Sequence, residues 1–247
     1  MSSKALRRLD VVLVERGLSP SRARGREWIE SGKVRVSGVI QKKPAFLVEP
    51  DEEVELEATG EHWVSRGAHK LLAALDHFGV LPAGRVAFDI GASTGGFTQV
   101  LLTRGARQVI AVDVGSGQLD AKLRADPRVL CREHYHARHF NPADFPGKAS
   151  ILVMDVSFIS IRLVLPAVLE GLDSGADLLV LFKPQFEVGR EGLGAGGIVR
   201  DPEVRQAAVD AVIRWSKDLP LEFRGVMGSP IPGGDGNLEF LIHWVKA

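Results

Sequence analysis

The sequence predicts an α/β fold: a doubly wound, mostly parallel sheet preceded by a small α+β module. Continuous apolar runs alternate with helical segments from Val86 onward, which is typical of a parallel sheet covered on both faces. A glycine-rich loop, Gly91 to Gly96, follows the first of these runs, and acidic residues end several of them. The chain of 247 residues is long enough for one large domain or two smaller ones.

The sheet is predicted from short apolar segments bounded by charged or glycine residues. A helix over Gly67–Phe78, which carries Lys70, precedes the first strand, and a second helix follows the glycine loop. The predicted strands are Val86–Asp89, Val109–Asp113, Val129–Leu130, Ile151–Asp155, Leu178–Phe182 and Glu239–Val245.

The N-terminal module is basic although the whole chain has a net charge of zero. Residues 1–48 contain eleven Lys and Arg against four Asp and Glu, a net charge of +7, and the acidic run 49–53 follows. A basic module on a neutral body indicates a polyanionic partner, nucleic acid first. The candidate phosphate contacts in this module are Arg22, Arg24, Arg35, Lys42 and Lys43.

Two short helices and a small sheet are predicted within this module. The first helix ends at Gly17, and Ser19 and Pro20 predict the start of the second, with Ser19 as its cap. Residues 33–36 alternate basic and apolar side chains, which favours a strand with one wet face, and Ser37-Gly38 predicts a turn.

The composition argues against a disulfide-bonded secreted protein and against a membrane protein. Cys131 is the single cysteine, so no internal disulfide forms, which fits a reducing cytoplasm. The N-terminus has no apolar segment of signal-peptide type, and no stretch of about 20 residues is free of charge. We therefore expect a cytoplasmic protein without stable membrane insertion.

The glycine loop is a candidate ligand site, because ligands bind at the carboxyl ends of strands in doubly wound folds. Its spacing fits neither a P-loop nor the dinucleotide Gly-x-Gly-x-x-Gly pattern. Asp113, at the end of the next strand, suits ribose hydroxyls, whereas Asp89 would repel a pyrophosphate and tolerate a cation. This favours S-adenosyl-L-methionine over NAD, with a plain capped turn as the remaining alternative. The predicted cofactor-binding residues are Asp89, Gly91, Ser93, Gly95, Gly96, Phe97, Asp113 and Asp155.

Four charged residues at strand or helix edges form the candidate catalytic group: Lys70, Asp155, Lys183 and Glu239. A lysine at the end of an apolar strand is costly without a partner or a function. Partial burial and a neighbouring cation lower the pKa of a lysine, which makes Lys183 a candidate general base for methyl transfer to a hydroxyl. No metal is required. Taken singly, each residue could instead form a surface salt bridge.

Several motifs together resemble the hemolysin A (TlyA) family of ribosomal-RNA 2'-O-ribose methyltransferases, over nearly the whole chain. The motifs are Arg8-Leu9-Asp10 with Ser21-Arg22-Ala23-Arg24, Ser65-Arg66-Gly67-Ala68-His69-Lys70-Leu71, residues 89–98, 155–160, 183–187 and 196–201, and Gly236-Asn237-Leu238-Glu239-Phe240. One departure is His136, which stands where the family pattern leads us to expect Asn before Ala-Arg.

The resemblance implies a seven-stranded, Rossmann-like, FtsJ-like methyltransferase domain at residues 66–247. It also implies an S-four-type RNA-binding domain at residues 1–60 and a linker at 61–65. A Lys-Asp-Lys-Glu tetrad would fall on Lys70, Asp155, Lys183 and Glu239. The partner would be ribosomal RNA or ribosomal subunits, methylated at cytidine, with Arg66 as a further RNA contact.

Two other functions remain open from the sequence. One is a membrane-active hemolysin, as the family name suggests, although the missing signal peptide and the missing membrane span argue against pore formation. The other is an RNA-binding or ribosome assembly factor without catalysis, which the intact group of four charged residues disfavours. The sequence leaves the oligomeric state open.

Overall fold

The chain forms two compact units in its computed structural model, which describes residues 6–56 and 63–247. The first unit is Met1–His62 and the second is Trp63–Ala247. Of the predicted linker, residues 61 and 62 lie outside the described residues. Trp63 and Val64, which were also assigned to the linker, pack against the core of the second unit.

The first unit combines two helices with short antiparallel strands. Strand β2 (Val34–Val36) pairs with both β3 (Val39–Gln41) and β5 (Val54–Leu56), and β1 (Arg7–Arg8) pairs with β4 (Leu47–Val48). The turn between β2 and β3 contains Ser37 and Gly38, both at positive φ (49° and 77°), as a tight hairpin requires. The two helices are α1 (Leu9–Glu15) and α2 (Arg22–Glu30).

Helix α2 begins two residues later than predicted. Its cap is Ser21, whose hydroxyl accepts a hydrogen bond from the backbone N–H of Arg24, so the prediction of Ser19 as cap is wrong. The Ser19 hydroxyl instead donates to the carbonyl of Ser21 at 2.9 Å. Both serines fit the local pattern for a cap, and only the geometry of the chain after Pro20 decides between them.

The second unit carries the long elements of the chain, joined by short 3₁₀ turns. They are α3 (Gly67–Phe78), β6 (Val86–Ile90), α4 (Gly96–Thr103), β7 (Gln108–Val112), α5 (Ala121–Ala125), β8 (Val129–Arg132), β9 (Ala149–Met154), α6 (Leu165–Val168), β10 (Leu172–Phe182), α7 (Pro202–Trp215), β11 (Leu221–Gly228) and β12 (Phe240–Lys246).

These strands form one seven-stranded sheet in the order β11-β12-β10-β9-β6-β7-β8. Strands β10, β9, β6, β7 and β8 are parallel, and β12 is antiparallel to both of its neighbours. The chain proceeds outward from β6 to β7 and β8, then returns to β9 on the other side of β6. This reversal opens a crevice at the carboxyl ends of β6 and β9. The predicted α/β, doubly wound, mostly parallel sheet with a small N-terminal α+β domain is confirmed.

The sheet is buried on both faces, as its continuous apolar strands predict. Alternate strand residues enter different cores: Phe88 packs on the side of α6 and α7, whereas Ala87 packs on the side of α3 and α4. On the first side, the buried indole N–H of Trp244 donates to the Ser216 hydroxyl at 3.0 Å. The two cores hold the sheet rigidly, so its carboxyl edge is a firm platform for side chains.

Helix α7 and strand β11 were not predicted from the sequence. Helix α7 has a clear local start, since Asp201 caps it by accepting from the backbone N–H of Glu203 at 2.8 Å, and Pro202 occupies its first turn. Strand β11 has a weaker signal because it lies at the edge of the sheet, and most of its side chains are exposed or half-buried.

Replacement of Ile29 by Ala should lower the free energy of unfolding of the first unit by about 2–5 kcal/mol, because the side chain is fully buried among α1, α2 and β2. Ile40→Ala in the same unit is the matched control: Ile40 is 42% exposed, so its loss should change the stability by less than about 0.5 kcal/mol. Hydrogen exchange of amides in α2 and β2 measures both effects. Equal changes for the two variants would contradict the assignment of Ile29 to this core.

Candidate active site

The glycine loop lies in the crevice where the strand order reverses. Gly91 donates its backbone N–H to Val112 at 2.8 Å, and Asp155 donates its backbone N–H to Ile90 at 2.9 Å, so the ends of β6, β7 and β9 are linked. Gly91 has φ +85°, and an added Cβ would overlap the backbone carbonyl of Asp155. Only glycine therefore permits this close approach between the loop and the residue after β9.

Two cavities open on either side of this contact. The smaller one, of about 250 Å³, is lined by Lys70, Phe97 and Arg66 among others. The larger one, of about 520 Å³, is lined by Asp113 and by residues after β9. Three predicted cofactor-binding residues, Gly91, Ser93 and Asp155, line both cavities, and Gly96 and Phe97 line only the smaller one.

The predicted ribose-binding acid, Asp113, organises the backbone around the larger cavity. Its Oδ2 accepts from the N–H of Ser93 at 2.8 Å, and its Oδ1 accepts from the N–H of Gly115 at 2.7 Å. Each carboxylate oxygen has a second lone pair, so Asp113 keeps acceptor capacity for a ligand. Gly95 lines neither cavity. It has φ +96° and closes the turn that leads into α4.

Asp89 lies beneath the loop and lines neither cavity. It is fully buried and accepts a hydrogen bond from the Thr98 hydroxyl at 2.6 Å. Its other oxygen, Oδ1, accepts no hydrogen bond from any residue that the structure describes. Burial raises the pKa of the Asp89 carboxyl to about 7, and the nearby carboxylate of Asp155 adds to this increase.

The four predicted catalytic residues form two lysine–carboxylate pairs at the carboxyl edge of the sheet. Lys70, in the first turn of α3, has its Nζ 2.5 Å from Oε2 of Glu239, and both residues are buried. Lys183, after β10, has its Nζ 2.6 Å from Oδ1 of Asp155 and donates a hydrogen bond to Ser157 Oγ at 2.7 Å. The contact with Asp155 is an ion pair without hydrogen-bond alignment.

The sheet register explains why residues so distant in sequence meet here. Phe182 pairs with Phe240 across the antiparallel strands β10 and β12, so Lys183 and Glu239 lie at the same edge. Lys70 and Asp155 line the smaller cavity, whereas Lys183 and Glu239 line neither and lie behind them. Lys183 contacts Asp155 and Ser157, and these two residues line the larger cavity.

Several residues around the larger cavity were not predicted from the sequence, among them Tyr135 and Arg138. His136, which the sequence singled out as a departure from the family pattern, lines the same cavity. Ser157 and Phe158 line it as well; Phe158 is 91% exposed and has φ +62°. Their only sequence signal was their position within the motif 155–160, because their contacts come from elements distant in the chain.

The predicted RNA contacts divide between the two units. In the first unit Arg22 pairs with the buried Asp10 at 2.9 Å, and Arg24 pairs with Glu27 at 2.8 Å. Arg35 donates to the carbonyl of Gly38 at 3.0 Å. The exposed Lys42 and Lys43 complete this set, and the exposed Arg66 lies at the smaller cavity of the second unit.

Two further observations concern membranes and metals. Among the residues that the structure describes, no helix has both the length and the apolar content that a membrane crossing requires. Within residues 6–56 and 63–247, no cluster of three or more His, Cys, Asp or Glu side chains is arranged to hold a metal ion.

Comparison with known proteins places both units in described families. Residues 63–246 match the FtsJ-like methyltransferase family, and residues 7–54 match the S4 domain. The chain is 47% identical to the 16S/23S rRNA (cytidine-2'-O)-methyltransferase TlyA of Mycobacterium tuberculosis, over 97% of this chain and 89% of the relative. It is 38% identical to Hemolysin A of Brachyspira hyodysenteriae, over 96% of this chain and 99% of the relative.

A solved structure from Streptococcus thermophilus, assigned provisionally as a hemolysin, has the same fold. It aligns with a TM-score of 0.76 and 40% identity, over 99% of this chain and 90% of that one. The similarity extends through both units, and the resemblance predicted from the motifs is confirmed. The chain belongs to the TlyA/hemolysin family of rRNA methyltransferases, with an S4 domain followed by an FtsJ-like methyltransferase domain.

Proposed function

We propose that this enzyme transfers a methyl group from S-adenosyl-L-methionine to the ribose 2'-hydroxyl of a cytidine in ribosomal RNA, with Lys183 as the general base. The observation that carries the proposal is the pair of lysine–carboxylate contacts beside the glycine loop, at the carboxyl edge of the sheet. The M. tuberculosis relative is named for cytidine-2'-O methylation of 16S and 23S rRNA, which supports this substrate. We infer that the protein acts in the cytoplasm, where it meets ribosomal subunits.

The residues around the larger cavity fit S-adenosyl-L-methionine. Its volume of about 520 Å³ lies within the range of small-molecule sites. The loop at Gly91 lets a ligand approach the backbone, and Asp113 offers acceptors for ribose hydroxyls. The buried Asp89 Oδ1 lies beneath the loop without a hydrogen-bond donor among the described residues, and a cationic ligand above the loop would favour the ionised form of this carboxyl. When bound, S-adenosyl-L-methionine supplies an electrophilic methyl group on a positively charged sulfur.

As the general base, Lys183 must first release a proton, and the free amine then accepts the proton of the ribose 2'-hydroxyl on Nζ. Asp155, 2.6 Å away, stabilises the ammonium that forms. Lys70 and Glu239 form a buried pair next to this site, and Lys70 presents a fixed positive charge to the smaller cavity. Positioning of the ribose against the methyl donor supplies most of the remaining rate enhancement. The expectation that no metal is needed stays a prediction.

The S4 domain supplies affinity for the RNA backbone. Lys42, Lys43 and the arginines at 22, 24 and 35 would contact phosphates, which position the RNA without reading its sequence. Arg66 is next to the catalytic group, at the smaller cavity, and would contact the phosphate nearest the methylated nucleotide.

Lys183→Ala should abolish methyl transfer to ribosomal subunits and leave the Kd for S-adenosyl-L-methionine within about twofold, because the side chain lines neither cavity. The exposed Lys217→Ala is the matched control and should keep wild-type activity. Radiolabel transfer and isothermal titration calorimetry measure the two properties. An active Lys183→Ala enzyme would rule out the proposed base.

Gly91→Ala should prevent binding of S-adenosyl-L-methionine, because the new Cβ would displace the backbone at Asp155 between the two cavities. Gly79→Ala is the control: its φ of +68° imposes a similar backbone strain of about 1 kcal/mol, but no atom lies within 4 Å of the added Cβ. Calorimetric titration should therefore show binding by Gly79→Ala alone. Tight binding by both variants would contradict the assignment of the loop.

Asp89→Asn should stabilise the ligand-free protein at neutral and high pH. The pKa of Asp89 is raised from 3.8 to about 7 by burial, so the folded protein holds this proton more tightly than the unfolded chain does. Ionisation of this carboxyl in the unfolded chain therefore lowers the free energy of unfolding between about pH 4 and pH 7. The increase in that free energy caused by Asp89→Asn grows over the same range to about 4 kcal/mol.

Denaturant unfolding of both forms at several pH values between 4 and 8 measures this gain. The exposed Asp173→Asn serves as the control for the loss of a carboxylate. A gain for Asp89→Asn that is the same at pH 4 and pH 8 would show that Asp89 is not protonated in the folded protein near pH 6.

A further inference from the structure

The segments that follow β9 and β10 are joined at both of their ends. At the near end, Lys183 Nζ donates to Ser157 Oγ at 2.7 Å. At the far end, the Glu187 carboxylate accepts from the Ser160 hydroxyl and from the backbone N–H of Ile161, each at 2.7 Å. The loop 157–161 is therefore held by the first and last residues of the segment 183–187.

Glu187 is well suited to fix this loop. Its side chain is 3% exposed, and burial raises the pKa of its carboxyl, while the bonds from Ser160 and Ile161 oppose that increase. Arg162 lies nearby, with its Nε 3.8 Å from Oε2 of Glu187. A carboxyl group removed from water requires such donors, so the position of the loop and the burial of Glu187 depend on each other.

The loop between these anchors is strained. Phe158 has φ +62°, in the left-handed region that bulky residues rarely adopt. Such a conformation persists only where the surroundings impose it. Ser157 on one side and Ser160 on the other supply that constraint, and the Phe158 ring packs on Phe186 at a centroid distance of 5.3 Å.

We propose that Ser157 and Glu187 are positioning residues for Lys183, an inference that rests on the proposed role of Lys183 as the base. A neutral amine has two N–H groups and one lone pair. Ser157 accepts one N–H, and the Asp155 carboxylate lies 2.6 Å from Nζ without hydrogen-bond alignment. With one N–H held by Ser157, the lone pair is restricted to the remaining tetrahedral directions on Nζ, and we infer that one of these faces the substrate hydroxyl.

The proton transfer balances within these groups. The O–H bond of the ribose 2'-hydroxyl breaks, and a third N–H bond forms on Lys183, which becomes an ammonium ion beside Asp155. Ser157 keeps its own proton throughout and changes only the direction of the lone pair. Glu187 acts one step further away, because it holds the loop on which Ser157 lies.

The test begins with Ser157→Ala, a change at an exposed residue that leaves both cores intact. Because this variant loses the hydrogen bond between Ser157 and the Lys183 amine, we expect kcat to fall about 10- to 100-fold. KM for ribosomal subunits and the Kd for S-adenosyl-L-methionine should stay within about twofold. Ser157→Thr restores the hydroxyl and should recover most of kcat, and the exposed Ser174→Ala should match wild type. Wild-type kcat in Ser157→Ala would overturn the proposal.

A double-mutant cycle tests whether Glu187 acts through Ser157. Glu187→Gln should lower kcat about tenfold, and its combination with Ser157→Ala should be no slower than Ser157→Ala alone. Effects that multiply would show that Glu187 acts independently of Ser157 and would overturn its positioning role. Glu170→Gln, at an exposed site, is the control and should leave kcat unchanged.

Lys183→Ala in the same assay separates the proposed role of Lys183 as the base from the proposed positioning role of Ser157. If Lys183→Ala is inactive while Ser157→Ala has wild-type kcat, the positioning role fails and the proposed base stands. If Lys183→Ala keeps its activity, both the proposed base and the positioning role are rejected.

Discussion

The withdrawal of two lysines from water is the constraint on which the carboxyl edge of the seven-stranded sheet depends. Lys70 and Lys183 have side chains that are only 10% exposed. Removal of one partner from a buried ion pair costs about 3–5 kcal/mol, so each lysine needs a carboxylate at a fixed position. Glu239 and Asp155 supply these, and both are delivered by strands of the same rigid sheet.

The division of the chain into two units separates the basic S4 domain from the candidate active site. The S4 domain offers basic side chains that suit a phosphate backbone, whereas the FtsJ-like domain holds the loop, the cavities and both lysine–carboxylate pairs. Backbone contacts position RNA but do not choose a nucleotide. If the proposed function holds, we expect the choice of the methylated ribose to depend on the residues around the cavities of the second unit.

Much of this fold follows from local sequence patterns, and most of the exceptions have a physical cause. The apolar runs and the helix Gly67–Phe78 were predicted correctly because they are strongly periodic or buried on both faces. Strand β11 was not predicted because it lies at the edge of the sheet, where its pairing with β12 stabilises it more than a local sequence pattern does.

The same distinction applies to the site. The positions of Lys183 and Glu239 follow from the ends of their strands, but the hydrogen bond between Lys183 and Ser157 joins residues 26 apart in sequence. No local pattern encodes that contact, and the two anchors of Glu187 are equally remote. Asp89 shows a related limit, since its acidic character was evident from the sequence whereas its full burial beneath the loop was not.

The most direct test of the central claim is to identify the bond that carries the methyl group. The protein would be incubated with radiolabelled S-adenosyl-L-methionine and ribosomal subunits, and the RNA then hydrolysed with alkali, which cannot cleave beside a 2'-O-methylated ribose. We expect the label in an alkali-resistant dinucleotide whose methylated member is cytidine. Label that is released in ordinary mononucleotides, as base methylation would give, would contradict the proposed attack by a ribose hydroxyl.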